Sequence, residues 1–99
     1  MDISATDRDG AHIIHISGRL DTLTAPELEE PLRQAIEKYP AVVLDCERLD
    51  YVSSAGLRVL LTGQKTAIAS GHSFALSGVS DAVHEVFDMT GFSDILQID

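Results

Sequence analysis

Two adjacent hydroxyls, Ser53 and Ser54, stand between Asp50-Tyr51-Val52 and Ala55-Gly56-Leu57, where a short apolar segment gives way to a helical pattern. A helix start exposes amide groups that lack partners, together with the positive end of the peptide dipole. A phosphate on a serine at that place is electrostatically tolerated and can accept those amides. The small residues Ala55 and Gly56 leave the hydroxyls open to a modifying enzyme. The same pair also serves as an ordinary helix N-cap, and on residue types alone that is the simpler reading.

Other chemistries fit less well. Ser54 and Gly56 supply half of the Gly-x-Ser-x-Gly turn that exposes a hydrolase nucleophile, but Val52 occupies the first glycine position. Asp81 and His84 would have to complete a triad, and 99 residues are too few for a hydrolase sheet. The chain is therefore expected not to be an enzyme. His12, His15, His72 and His84 lack metal-cluster spacing, so no metal is expected. Cys46 lies in the apolar run Ala41-Val42-Val43-Leu44-Asp45-Cys46 and reads as a buried small hydrophobe. A single cysteine excludes an intramolecular disulfide and suits a reducing compartment.

Composition narrows the partners. Ninety-nine residues, 44% of them apolar and only 5% aromatic, fit one domain with a core of Ile, Leu, Val and Ala. A formal net charge of −9 argues against nucleic acid, whose phosphates demand clustered Lys and Arg, and against anionic membrane surfaces. No apolar run approaches the roughly 18 residues of a membrane span. Met1-Asp2-Ile3-Ser4-Ala5 carries no basic segment and is followed by no apolar one, so no signal peptide is expected. The chain reads as cytoplasmic. With no large uncovered apolar face in the pattern, it also reads as a monomer.

The elements that must position the serines follow from periodicity. Residues 2–7 and 11–17 read as a hairpin turning at Asp9-Gly10, with Gly18 ending the second strand. Ile14 and Ile16 share one of its faces, Ile13 and His15 the other, so both faces are expected to be covered. Thr24-Ala25-Pro26-Glu27 matches a capping box, and Leu28, Leu32, Ala35, Ile36 and Tyr39 follow at helical spacing. Pro31 predicts a kink or a late start in that helix.

Residues 41–46 read as a strand, separated by Glu47-Arg48 from Leu49-Asp50-Tyr51-Val52. A second helix begins at the serines, buries Leu57, Leu60, Leu61, Ala67 and Ile68, and stops at Ser70-Gly71. Residues 72–77 make a strand, and Ser80 or Asp81 caps a third helix that ends at Gly91. The apolar tail Ile95-Leu96-Gln97-Ile98 must dock on the rest. The order β-β-α-β-α-β-α implies an α/β fold: a mixed sheet of four to five strands packed with helices.

Three stretches carry a family resemblance. They are Gly18-Arg19-Leu20-Asp21 with Thr24-Ala25-Pro26-Glu27-Leu28, then Val43-Leu44-Asp45 with Val52-Ser53-Ser54-Ala55-Gly56-Leu57, and finally Gly78-Val79-Ser80 through Val86-Phe87-Asp88-Met89-Thr90-Gly91-Phe92. From Gly18 to Ile98 the chain resembles a STAS domain of the anti-sigma-factor-antagonist type. The resemblance implies a protein that, unphosphorylated, binds an anti-sigma factor that is also a serine kinase, and so frees a sigma factor. The kinase binds the ATP, leaving the antagonist itself without a cofactor. Phosphorylation disrupts the complex, and a metal-dependent serine phosphatase reverses it.

The family's loop reads Asp-Ser-(Ser, Thr or Ala)-Gly-Leu. Aligned on Gly56-Leu57, the phosphoacceptor falls on Ser54, while Ser53 replaces the usual Asp and stands as a competing acceptor. Asp21, Ser53, Ser54, Ala55, Gly56 and Arg58 are then the expected partner-binding residues. For Asp21 a local turn cap is an equal reading, and for Arg58 a solvated helix face is another. The rival expectation is a STAS scaffold or ligand-binding module of a larger assembly, in which phosphorylation is incidental.

Overall fold

The computed structural model describes all residues, 1–99. Strands β1 (Asp2–Arg8) and β2 (Ala11–Leu20) form an antiparallel hairpin. Asp9 and Gly10 make its two-residue turn with φ of 53° and 84°, the left-handed pair that matches strand twist. Helix α1 (Ala25–Lys38), strand β3 (Ala41–Val52), helix α2 (Ser54–Ser70), strand β4 (Ser73–Ser77), helix α3 (Asp81–Thr90) and strand β5 (Gln97–Ile98) follow, with a 3-10 turn at Phe92–Asp94. The sheet order is β1-β2-β3-β4-β5, and every pair after the hairpin is parallel.

Right-handed crossovers that all advance in one direction place their helices on one face of a sheet. Burial agrees. Ile14, Ile16, Val42, Leu44, Cys46, Phe74 and Leu76 join the inward residues of all three helices in one core of 22 side chains. The opposite face, expected to be covered, is open. His15 lies at its centre, with Nε2 2.8 Å from Thr6 Oγ1 on β1 and Nδ1 2.8 Å from Asp45 Oδ2 on β3. Burial opposes ionisation of Asp45, but the Glu47 amide and His15 hold its carboxyl below the ordinary value. Just inside, burial pushes the Cys46 thiol up to about 12, and the Asp45 charge adds to this.

β3 does not stop at Cys46 but runs on through Glu47-Arg48 to Val52. Its register against β2 slips between His15 and Ser17 and again between Gly18 and Arg19, so β3 spends one extra residue at each slip. The two bulges re-phase the alternation, and Leu49 and Val52 point inward like Val42, Leu44 and Cys46 before them. For the same reason Gly18 does not end β2. Its φ of 98° is open to glycine, and β2 runs on to pair Leu20 with Val52.

α1 also departs from expectation. It runs through Pro31 without a late start, and the Thr24–Glu27 capping box does not form: Thr24 makes no side-chain cap bond. α2 and α3 are capped as expected, by the hydroxyls of Ser53 and Ser80 and by left-handed Gly71 and Gly91. Ile68, expected inside, is 70% exposed. The buried stripe of α2 runs instead through Gly56, Leu60, Gly63 and Ala67, with Leu57 and Val59 beside it. A Cβ on Gly63 would lie 3.2–3.3 Å from Leu32, Phe74 and Ile36, so this glycine sets the distance between α2, α1 and β4. Gly63→Val overpacks that junction and is expected to cost about 2 kcal/mol. Urea denaturation reads the loss, and an unchanged midpoint would refute the close approach.

Candidate functional site

The serines stand where β3 ends beside β2. The Ser53 amide donates to the Leu20 carbonyl at 2.9 Å, tying the α2 start to the end of the neighbouring strand. Gly56 closes the contact. A Cβ there would lie 2.7 Å from Leu20 Cγ, 2.9 Å from the Leu20 carbonyl oxygen and 2.9 Å from Val52 Cγ2. No side chain fits.

The two hydroxyls are not equivalent. Ser53 is half-buried in extended conformation, and its Oγ accepts from the Gly56 amide at 3.3 Å while its carbonyl accepts from Leu57. Ser54 is exposed and makes no side-chain hydrogen bond. The amides of Ser54 and Ala55 have no protein acceptor, which leaves two donors free at the positive end of a 17-residue helix.

Leu20 carries the neighbouring loop with it. Asp21 Oδ1 accepts from the amides of Leu23 and Thr24 at 3.0 and 3.1 Å, and the Thr24 hydroxyl oxygen lies 3.2 Å from it. Thr24 Oγ1 in turn donates to the Arg19 carbonyl at 2.6 Å and accepts from the Asp21 amide at 2.8 Å. These bonds draw Thr24 away from the capping-box geometry. The Thr24 amide is the main cause that holds the Asp21 carboxyl below its ordinary value; desolvation opposes it, and the Leu23 amide, the Thr24 hydroxyl and Arg19 reinforce it. Asp21 is therefore a turn cap, with Oδ2 3.7 Å from Arg19 Nε.

The structure thus gathers Asp21, Ser53, Ser54, Ala55, Gly56 and Arg58 around one end of the sheet. Ala55 and exposed Arg58 share a groove of about 190 Å³ with Thr22 and with Pro26 and Glu29 of α1. Sequence reasoning missed three neighbours. Leu23, at the tip of the loop, is 85% exposed, and Arg19 lies 4.1 Å above the ring of half-exposed Tyr51, its register partner on β3. Only the odd placement of a leucine in a polar turn signalled the first, and nothing local signalled the stack. Elsewhere, no three His, Cys, Asp or Glu side chains come together in a metal-ligating group, and no helix is long and apolar enough to cross a membrane.

A model of the STAS domain matches residues 2–99. The chain belongs to the STAS family. An anti-sigma-B factor antagonist of Listeria monocytogenes is 33% identical over 100 residues, covering 99% of this chain and 88% of that one. Among solved structures, an anti-sigma factor antagonist from Mycobacterium paratuberculosis superposes with a TM-score of 0.88 at 23% identity, over 98% of this chain and 83% of that one. The Bacillus cell fate determinant SpoIIAA in its phosphorylated form does so with a TM-score of 0.73 at 18% identity, over 99% and 91%. These likenesses show a shared fold, a five-stranded mixed sheet with three helices in the present STAS domain.

Two outcomes follow for this end of the STAS domain. Gly56→Ala must displace backbone as well as side chains and is expected to cost about 3 kcal/mol in urea denaturation. A cost near zero would mean that Leu20 does not hold the helix start. Asp21 has a lowered folded-state pKa, so its stabilisation is complete above the unfolded value near 3.8 and is lost as pH falls through the folded one. The stability gap between wild type and Asp21→Asn is expected to be clear at neutral pH and to close in acid, once pH has fallen through the lowered folded-state pKa. A gap that persisted in acid would show that the carboxylate charge does not hold the turn.

Proposed function

We propose that this STAS protein is an anti-sigma-factor antagonist switched by phosphorylation of Ser54. In this reading the unmodified form binds an anti-sigma factor that is also an ATP-using serine kinase, and a sigma factor is released. The kinase modifies Ser54, the complex dissociates, and a serine phosphatase restores the active form. The protein binds and regulates rather than catalyses, carries no cofactor, and works in the cytoplasm where its partners act on transcription.

One observation carries the reading: of two adjacent serines, Ser53 has its hydroxyl engaged as the helix cap, whereas the Ser54 hydroxyl is free and exposed. The name of the Listeria relative supports the antagonist role, and the phosphorylated Bacillus neighbour supports a fold that accepts the mark. Ser53 replaces the acidic residue usual in the family, and its cap bond disfavours it as the acceptor.

The physics of the switch is local. A phosphoserine adds about −1.5 to −2 charge at neutral pH. Within the free protein the open amides of Ser54 and Ala55 and the helix dipole accommodate it. Within an interface built on Leu23, the Arg19–Tyr51 stack and Arg58, the same charge must shed water and meet a partner surface shaped for a neutral hydroxyl. Regulatory couplings of about 1–3 kcal/mol, or roughly 5- to 150-fold in affinity, suffice for such control.

The test is a pull-down from native lysate with wild type, Ser54→Ala and Ser54→Glu, read by mass spectrometry after circular dichroism has shown all three folded. An ATP-binding serine kinase retained by wild type and Ser54→Ala, but not by Ser54→Glu, is the expected result. Identical partners for all three, with no kinase among them, would replace the switch by a constitutive scaffold.

A further inference from the structure

The two edges of the sheet are built differently. β5 is two residues long, and a short edge strand offers little to an intruding chain. β1 is seven residues long, pairs with β2 without a register slip, and contains no proline and no lysine. Six of its seven side chains are exposed. No proline, lysine or bulge interrupts its free edge; its charges are Asp2 and Arg8 at the two ends and Asp7 on the helix face, and a run of regular backbone donors and acceptors faces outward along Asp2–Arg8.

The β1 sequence, Asp2-Ile3-Ser4-Ala5-Thr6-Asp7-Arg8, complements itself when reversed. Asp2, Ser4, Thr6 and Arg8 lie on the open face, opposite Ser17, His15, Ile13 and Ala11. Ile3, Ala5 and Asp7 lie on the helix face. Two copies joined antiparallel about a two-fold axis at Ala5 use the whole strand and keep each face matched to itself. On the open face that register sets Asp2 against Arg8 of the second copy, twice by symmetry, and Ser4 against Thr6; on the helix face it sets Ala5 against itself and Ile3 against Asp7, the one unmatched pair. Opposite charges and paired hydroxyl residues are the favourable cross-strand combinations.

The competing registers lose the open-face charge match, although the one centred on Ser4 pairs Ile3 with Ala5 on the helix face. Centred on Ser4, the pairing sets Asp2 against Thr6 and leaves Arg8 beyond the partner strand. Centred on Thr6, it sets Arg8 against Ser4 and leaves Asp2 unmatched. Asp2 and Arg8 are exposed and loosely engaged in the single chain: Ser17 Oγ donates to Asp2 at 3.5 Å, and Arg8, 80% exposed, lies 3.7 Å from Asp9.

We propose that β1 is a homodimerisation edge, through which two copies of this chain join into a continuous ten-stranded sheet. The contact is polar and backbone-driven, so it needs no large apolar face. β2 and β3 lie between this edge and the start of α2, so the dimer presents two Ser54 surfaces, and the pairing stands or falls independently of the phosphorylation reading.

Sedimentation equilibrium of the untagged chain up to about 1 mM, a range suited to a small polar interface, reads the association. Wild type is expected to form a reversible dimer. Asp2→Arg and Arg8→Asp each place two like-charge pairs at the junction and are expected to raise the dissociation constant at least about tenfold. The double exchange restores the pairs in reverse and is expected to restore the dimer. In parallel, Ala5→Cys faces its own copy at the axis and is expected to form an intermolecular disulfide at least about tenfold faster than Ser4→Cys, which faces Thr6. Cys46, buried and held as a thiol, does not compete. A strictly monomeric wild type, single variants that associate like wild type, a double exchange that fails to restore, or equal cross-linking at positions 4 and 5 would each overturn the proposal.

Discussion

The missing side chain at Gly56 is the constraint on which the functional end of this molecule depends. With a hydrogen there, the first turn of α2 can settle onto Leu20, and the Ser53 amide can reach the Leu20 carbonyl at 2.9 Å. That one bond fixes both halves of the site, because the loop bearing Asp21 and Leu23 begins at the next residue. The bulges in β3 serve the same contact. Without two extra residues against β2, Leu20 would not face Val52, and the serines would leave the sheet at another place. Gly63 repeats the solution one stage further along the helix, where α2 must pass close to both α1 and β4.

A second consequence concerns which serine is free. An N-cap must spend its side chain on an amide of the first turn. Ser53 does so, and the family's usual acidic residue could perform the same task by the same geometry. The replacement therefore preserves the cap while removing a negative charge beside Ser54. The two hydroxyls are divided between neighbouring tasks: one is consumed by the helix cap, and the next is left exposed with two open amides beside it.

Much of the fold was legible because the signals were local. The Asp9-Gly10 turn, the caps Ser53 and Ser80, the stops Gly71 and Gly91 and the strand–helix alternation each act within a few residues of themselves. Signals that failed were overridden from a distance or hidden by glycine. β3 reads as ending at Cys46 because a bulge breaks the period of two that reveals a strand. Thr24 and Glu27 match a capping box, but Asp21, three residues upstream, claims the threonine. The inner stripe of α2 holds Gly56, Gly63 and Ala67, which carry little hydropathy, so Ile68 looked like its natural member and is not. At the site, the serines and their cap were legible. The Arg19–Tyr51 stack was not, since only the doubly shifted register brings those positions together.

The strands lie in the sheet in the order in which they occur in the chain. During synthesis, each new strand therefore finds its neighbour already made. The β1–β2 hairpin can form first, and every later strand adds to the current free edge after one helix has swung over the same face. No strand must wait for a distant partner or be threaded between two others, which keeps loop-closure costs small at each step. The growing edge is always the one nearest the ribosome, while β1 is finished and free from the beginning. A sheet assembled in this way can take up its partners at one edge before the other has been completed.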